Sequence, residues 1–395
     1  RNGVIRMTEK IQSNGRDVHV LSQAQVSVKC DDPVAHLREK LGDAPLALLT
    51  VFVTPNVDFA AVSERLNAVF PTTDIVACTT AGEIGAGGYE EGTILGLGSP
   101  AAHFDSISIL VEDLDGRETQ SAVDRIAQDR VALRDRNPKK LNGFAFLVVD
   151  GLSLREDTLT AAISPALRDM PLFGGSAGDG TRFKQTFVSF NGRVRQNAAV
   201  LTMIQTDHKT QVFSIDHLVP TDIQMVVTDA DPDRRIVKSI NAEPAAREYA
   251  RLVGTNPDQL DQFTFASHPV VVRIGGAHHV RAIQQVTPKG ELVFFSAIDE
   301  GMVLTVAEPR DMAEHLDEKL TELSRMGTLT DIVGCDCILR RIEAEQKQST
   351  RQVSDVLTRH KVIGFSTYGE QIGPLHVNHT MSGLAIYAET HGGEA

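Results

Sequence analysis

No apolar run in the 395-residue chain approaches the roughly 18 residues that a membrane-spanning helix needs, and no charged-then-apolar leader opens it. A cytoplasmic protein with no membrane association is the expectation. Cysteine is scarce: Cys30, Cys78, Cys335 and Cys337 lie in or beside apolar runs, without disulfide-type or CxxCH spacing. They read as thiols of a reduced compartment. Positive charge is in deficit, with 39 Lys and Arg against 52 Asp and Glu, a formal charge of −13 that opposes phosphate backbones and anionic lipid heads. Nucleic acid is thereby excluded as a partner. Catalytic signatures are missing too. The clusters Gly85–Gly88 and Gly174–Gly180 lack the Lys-Ser/Thr ending of a phosphate-binding loop, and there is neither a GxSxG elbow nor an HExxH helix. A binding protein, not an enzyme, is expected.

What the chain does contain is a repeated unit. APLALLTVF has the length of a buried strand, and Phe59, Val62, Leu66 and Val69 after it share one helical face. DIVAC then delivers Thr79, Thr80, Gly82 and Glu83 at a strand end. FAFLVVDGLS, a helix marked by Leu159, Ile163 and Leu167, and PLFGGSAGDG repeat the pattern, with Pro165 demanding a kink or boundary. IVGCDCILRRIE, a helix carrying Val353, Val356 and Leu357, and VIGF repeat it again. Asn191-Gly192 between β-rich runs predicts a hairpin, because both central residues of that turn need positive φ. DADPD predicts another. Between them, residues 205–219 weaken the pattern, and we place a domain boundary at 208/209, giving parts 1–208 and 209–395. In the second part HPVVVRIGG, VRAIQQV, ELVFFSAI and MVLTVAE suggest a four-strand meander, with His278-His279 exposed in one of its turns. The fold class is α/β: a β-rich two-part fold of repeated strand–helix–strand units and antiparallel hairpins. Residues before Met7 are read as a processing remnant.

The motif loops carry the candidate binding groups. Lys361–Tyr387 superposes without a gap on the first motif, Thr367 over Thr80, Gly369 over Gly82, Glu370 over Glu83 and Thr380 over Thr93. Ser176, Gly178 and Asp179 give a shorter third echo. In open α/β sheets, loops at the carboxyl ends of strands are the usual ligand site, so three like loops can converge on one cavity. Hydroxyls and backbone N–H groups of Thr79, Thr80, Ser176, Ser366 and Thr367 can hold a carboxylate, while Glu83, Asp179 or Glu370 meets an ammonium: the recognition set for an amino acid. The same glycines and hydroxyls also serve plain turns. Tyr368, His376 and His379 have no counterpart in the other loops. Cys335 and Cys337 fall on one strand face and read as core thiols.

Taken together, VACTTAGEI, PLFGGSAGD with VSFNGRVRQNAAVL, SINAEPAAREYA, HPVVVRIGG and GFSTYGEQIGPLHVNHTMSGLAI resemble the FIST domains, a sensory module with an N-terminal and a C-terminal part. The resemblance covers nearly the whole chain. It implies intracellular sensing of small ligands such as amino acids. It also extends to the NosP-like branch, which binds haem b, senses nitric oxide and regulates a separate histidine kinase or cyclic-di-GMP enzyme, a diguanylate cyclase or phosphodiesterase. On that reading His376 is the haem iron ligand, with His379 or Tyr368 as further contacts and Ile372, Leu375, Val377 and Met381 forming an apolar slot. No kinase or cyclase segment is legible, so signalling runs through a separate protein; homo-oligomerisation is left open.

Overall fold

The computed structural model describes residues 18–389, so the segment before Met7 lies outside the described residues. Three units follow one path: strand, helix, strand, helix, strand, short hairpin, closing strand. The first uses strands Ser22–Ser27, Leu46–Val53, Asp74–Thr79 and Thr93–Pro100, with helices Pro33–Leu41 and Phe59–Val69 between them and a hairpin Glu83–Gly85/Gly88–Glu90. The second uses Phe104–Val111, Asn142–Val149, Leu172–Ser176 and Ala199–Thr206, with helices Glu118–Arg136 and Glu156–Leu167 and a hairpin Val188–Phe190/Arg193–Arg195. The third uses Thr210–Ile215, Leu329–Cys337, Val362–Thr367 and Met381–Tyr387, with helices Met312–Ser324, Ile338–Gln346 and Thr350–Arg359 and a hairpin Glu370–Ile372/Leu375–Val377. The repeat read from the sequence, twice early and once late, is the architecture. Local chemistry starts the helices: the side chains of Asp32, Asp58 and Asp311 accept from Ala35, Ala61 and Glu314, each closing an open backbone N–H.

Each unit builds four strands of a six-stranded mixed sheet, and the remaining two come from another unit's hairpin. The first hairpin joins the third unit, with Phe365 opposite Glu83. The second joins the first unit, with Val188 opposite Cys78, and the third joins the second, with Glu370 opposite Gly175. The exchange is circular. Asn191 and Gly192 both take positive φ, as the hairpin reading requires.

The three sheets enclose one apolar core around a pseudo-threefold axis. Phe52 and Phe365 stack with centroids 4.3 Å apart, beside Phe146, Phe173, Val333 and Leu384. The outer faces are covered by each unit's own helices. Because both faces are buried, Leu46–Val53, Ala199–Thr206 and Met381–Tyr387 read as continuous apolar runs, not as alternation. Near the axis the sheets approach closely: a Cβ on Gly175 would stand 2.6 Å from Thr367 Cγ2 and 2.9 Å from Phe365 Cζ.

Residues 218–309 form a lobe inserted into the third unit. Its eight-stranded sheet is not the expected meander. Hairpins Val270–Ile274/Ala277–Val280 and Ile283–Val286/Leu292–Phe294 lie at its opposite ends, because the long strand Leu218–Asp231 runs through the middle and shifts register between Pro220 and Gln224. His278 and His279 sit in a strand, His278 exposed, and the turn is Gly275-Gly276. Helix Ala245–Val253 ends at Gly254, which takes the left-handed conformation. The lobe closes over the motif loops: Ala266, Val271, Val280 and Phe295 pack on Ala81, Ile338, Leu339 and Tyr368. No helix among the described residues is long and apolar enough to cross a membrane.

Candidate functional site

The three motif loops meet on the axis and hydrogen-bond to one another. Ala81 N donates to Ser366 O at 2.8 Å, Tyr368 N to Ser176 O at 3.1 Å and Gly178 N to Thr79 O at 3.1 Å. The equivalent positions are therefore Thr79, Ser176 and Ser366. The third echo is displaced by one residue from the alignment read in the sequence: Asp179 stands where Gly82 and Gly369 stand, not over the glutamates. The loops also fill the point where they meet, since a Cβ on Gly178 would lie 2.9 Å from Ala81 Cβ and 3.1 Å from Tyr368 Cε1. Convergence gives a packed seal, not the single cavity expected.

Two of the loops share one device. Thr80 Oγ1 donates to Glu83 Oε1 and Thr367 Oγ1 to Glu370 Oε1, each at 2.5 Å, while Gly82 N and Gly369 N donate back to the same hydroxyls. The second carboxylate oxygen accepts from Thr93 Oγ1 at 3.2 Å and from Thr380 Oγ1 at 2.7 Å, respectively. Both glutamates are fully buried. Burial pushes Glu83 up to about 7 against the pull of the threonine hydrogen bonds, and pushes Glu370 well above the carboxylate range. Asp179 is a different construction, accepting from the backbone N–H groups of Phe183, Lys184 and Gln185 at 2.8 to 3.0 Å and from the Tyr368 hydroxyl. Thr79 Oγ1 accepts from Phe187 N, and Ser176 Oγ accepts from Gln371 Nε2. Ser366 Oγ is buried without a partner.

Two clefts open to solvent flank this seal. One, of about 350 Å³, lies at the carboxyl ends of strands Leu46–Val53 and Asp74–Thr79, lined by Thr54, Gly82, Asp179, Arg182, Arg341 and Glu345 among others. A neighbour of about 430 Å³ shares Pro55, Asp179 and Arg182 with it and includes Thr79. Arg182 forms the partition, donating to Asp179 O and Pro55 O. Across the first cleft Arg341 meets Glu91 at 3.1 Å and Glu345 at 3.7 Å. Both charge signs thus face one volume in the small-ligand range. Arg182, Arg341 and Glu345 carry no motif signal in the sequence; the only hint was that a strand-end loop adjoins them.

The candidate haem contacts lie deeper. His376 is 1% exposed under the lobe; its Nδ1 stands 3.1 Å from Gln371 Nε2, and Nε2 has no partner, Glu156 Oε1 being 3.9 Å away. Burial lowers its pKa and keeps it neutral. The imidazole could ligate iron, but the residues around it do not fit a haem. Glu156, Asn378 and Gln371 enclose it, and Gly369 fits only because it lacks a Cβ, which would stand 2.3 Å from His376 Cε1. Strand alternation puts Leu375 and Val377 on the hairpin face opposite His376. Met381 belongs to the outer core of the third unit. Tyr368 donates to Asp179 and Gly180 O, and burial raises its hydroxyl well above the range of a phenolate ligand.

His379 belongs to a separate buried network. Its Nε2 and that of His217 both stand 2.8 Å from Glu343 Oε2, a spacing that metal ions also use. Arg340 decides the chemistry. Its guanidinium can only donate, and it does so to His217 Nδ1 at 2.9 Å, so His217 Nε2 carries the proton and offers no lone pair. Burial pushes His217 down to about 3, and Glu343, held by the two imidazoles, lies well below the carboxylate range. Arg340 is in turn held by Asp336 at 2.7 Å, and Asp336 by Tyr89 of the exchanged hairpin. Cys335 is buried in the central core and Cys337 in the cluster under the lobe, and burial raises both thiols.

Comparison with known proteins gives two matches to family models: the FIST N domain over residues 47–243 and the FIST C domain over residues 245–373. The chain is also similar to an uncharacterized protein of Methanocaldococcus jannaschii, 21% identical over 372 residues, covering 85% of this chain and 71% of that protein.

Proposed function

Because the chain belongs to the FIST family, whose domains are sensory and bind small ligands, we propose that it senses a small zwitterionic molecule, an amino acid or close analogue, in the cleft between Thr54 and Arg341. One observation carries this reading: guanidinium and carboxylate groups face a single solvent-open volume of about 350 Å³ at the carboxyl ends of two sheet strands. A ligand carboxylate exchanges for Glu91 and Glu345 on Arg341, with Arg182 on the other wall. The ammonium then meets the released carboxylates. The motif residues support the cleft from below: Thr80 and Glu83 hold the Gly82 turn that forms its floor, and Asp179 anchors the loop carrying Arg182. Output passes by contact to a separate signalling protein, a histidine kinase or a cyclic-di-GMP enzyme.

Calorimetric titration with the common amino acids tests the ligand class. Binding is expected, weakened at least about tenfold in Arg341→Ala, since one charge-assisted hydrogen bond contributes roughly 1.5–3 kcal/mol. Silence across the set would overturn the reading. Haem-based nitric oxide sensing has in its favour only the unpartnered His376 Nε2, and the packed polar surroundings of that imidazole count against it. A Soret band in protein purified with haem, lost in His376→Ala, would decide for it.

A further inference from the structure

The end of the core remote from the motif loops carries a second constellation. There the connectors between units come together: residues 101–103 lead into the second unit, residues 207–209 into the third, and residues 388–389 follow the last strand. His103, Asp207, His208 and Glu389 each offer one ligand atom, and these atoms all lie within 4.8 Å of one another. We infer that these four residues form a divalent transition-metal site, joining all three connectors through one ion.

The tautomer of His208 supports this where that of His217 does not. His208 is buried, and its Nδ1 stands 2.9 Å from Tyr387 O, a carbonyl that can only accept. Nδ1 therefore carries the proton, and Nε2 is a bare lone pair. That nitrogen has no hydrogen-bond partner and points at Asp207, whose Oδ1 lies 3.7 Å away. A backbone carbonyl fixing the outer ring nitrogen of an imidazole is the usual support of a metal-ligating histidine. His103 Nδ1 lies 3.2 Å from both Asp207 oxygens and donates to them when no ion is bound, so ion binding there releases one proton; the two imidazoles meet edge to face with centroids 4.9 Å apart. Ligand atoms about 2.1 Å from a central ion stand roughly 3.4 Å apart in a tetrahedron. The 3.2 and 3.7 Å from Asp207 to the two imidazoles bracket that separation, and the four ligand atoms lie within 4.8 Å of one another, so an ion draws the outlying ligands in by up to about an ångström. The His103 side chain is 41% exposed and Glu389 lies at the surface, which leaves an entry path. Two imidazoles with carboxylates select zinc, cobalt or nickel over magnesium or calcium.

The test is titration of the full chain, stripped with a chelator and dialysed, with Zn²⁺ and separately with Co²⁺ followed by absorption. One ion per chain is expected, with the visible bands of a nitrogen- and oxygen-ligated cobalt site. His103→Ala and His208→Ala should each weaken binding at least about 100-fold, the scale at which even supporting residues of metal sites act. His278→Ala should leave it unchanged. Zn²⁺ should raise the Tm of the parent protein but not of His103→Ala, whose metal-free Tm should match the parent because His103 is half exposed. Equal affinity in the His103→Ala/His208→Ala double variant, or binding only at millimolar ion, would overturn the assignment.

Discussion

Glu83 and Glu370 are carboxyl groups kept in the interior by threonine hydroxyls, and the consequence is measurable. Glu83 rises from its ordinary 4.5 to about 7 on folding. A raised folded pKa contributes stability that is fully present below the unfolded value and is lost as pH rises through the folded one. Glu83→Gln, which mimics the protonated form, should therefore gain roughly 3 kcal/mol over the parent at pH 8 and nothing at pH 4, measured by urea unfolding at both. An unchanged difference between the two pH values would mean that Glu83 stays ionised. His217 acts in the opposite sense: lowered to about 3, it contributes stability present above its unfolded value and lost as pH falls from about 6.5. Between about 4.5 and 6.5 the two slopes oppose each other. Asp336→Asn should cost about 3–5 kcal/mol in chemical denaturation, because Arg340 is wholly buried and would keep its charge without its partner.

At the scale of elements, the exchanged hairpins depend on how each loop turns. Gly369 has φ of +137° and lies against His376 and Asn378, so Gly369→Ala is both strained and blocked. It should destabilise by at least about 2 kcal/mol. Gly373, at φ of +53° with open space around it, should lose only about 1 kcal/mol as alanine. Comparing the two Tm values separates blocked space from backbone strain. The sequence makes these elements readable to different depths. Strands, helices and the Asn191-Gly192 turn follow from apolar runs, helical stripes and turn chemistry, all local signals. The repetition is legible because Thr80, Gly82, Glu83 and Thr93 recur at fixed spacing in the third unit, while the second unit shows only the strand–helix–strand pattern and a shorter echo at Ser176–Asp179. Pairing partners are not legible: nothing in GEIGAGGYE tells that its strands join Val362–Thr367, because edge pairing depends on neighbours distant in sequence. The one-residue displacement at Asp179 was hidden for the same reason, since only the Gly178 N to Thr79 O bond fixes the register. The cleft escaped because its two arginines, Arg182 and Arg341, come from stretches far apart in sequence. The apolar slot proposed for haem failed on period-two alternation, which separates Leu375 and Val377 from His376.

Across the whole molecule, the central core is assembled from all three sheets, so each unit owns only the outer half of its apolar packing. Phe52 is wholly buried and touches the rings of Phe146 and Phe365, from the second and third units. Phe52→Ala should cost about 3–5 kcal/mol and lower one shared unfolding transition of the three units. A separate transition for the first unit, seen by calorimetry, would contradict that coupling. The circular exchange of hairpins also bears on how the chain is made. During synthesis the first unit's hairpin has no partner until Val362–Thr367 leaves the ribosome, and Leu172–Ser176 keeps an open edge until Glu370–Ile372 follows. The earlier units must therefore wait, edges exposed, for strands Val362–Thr367 and Glu370–Ile372. Nascent chains halted before residue 362 should bind chaperones or aggregate, whereas chains released after residue 387 should not.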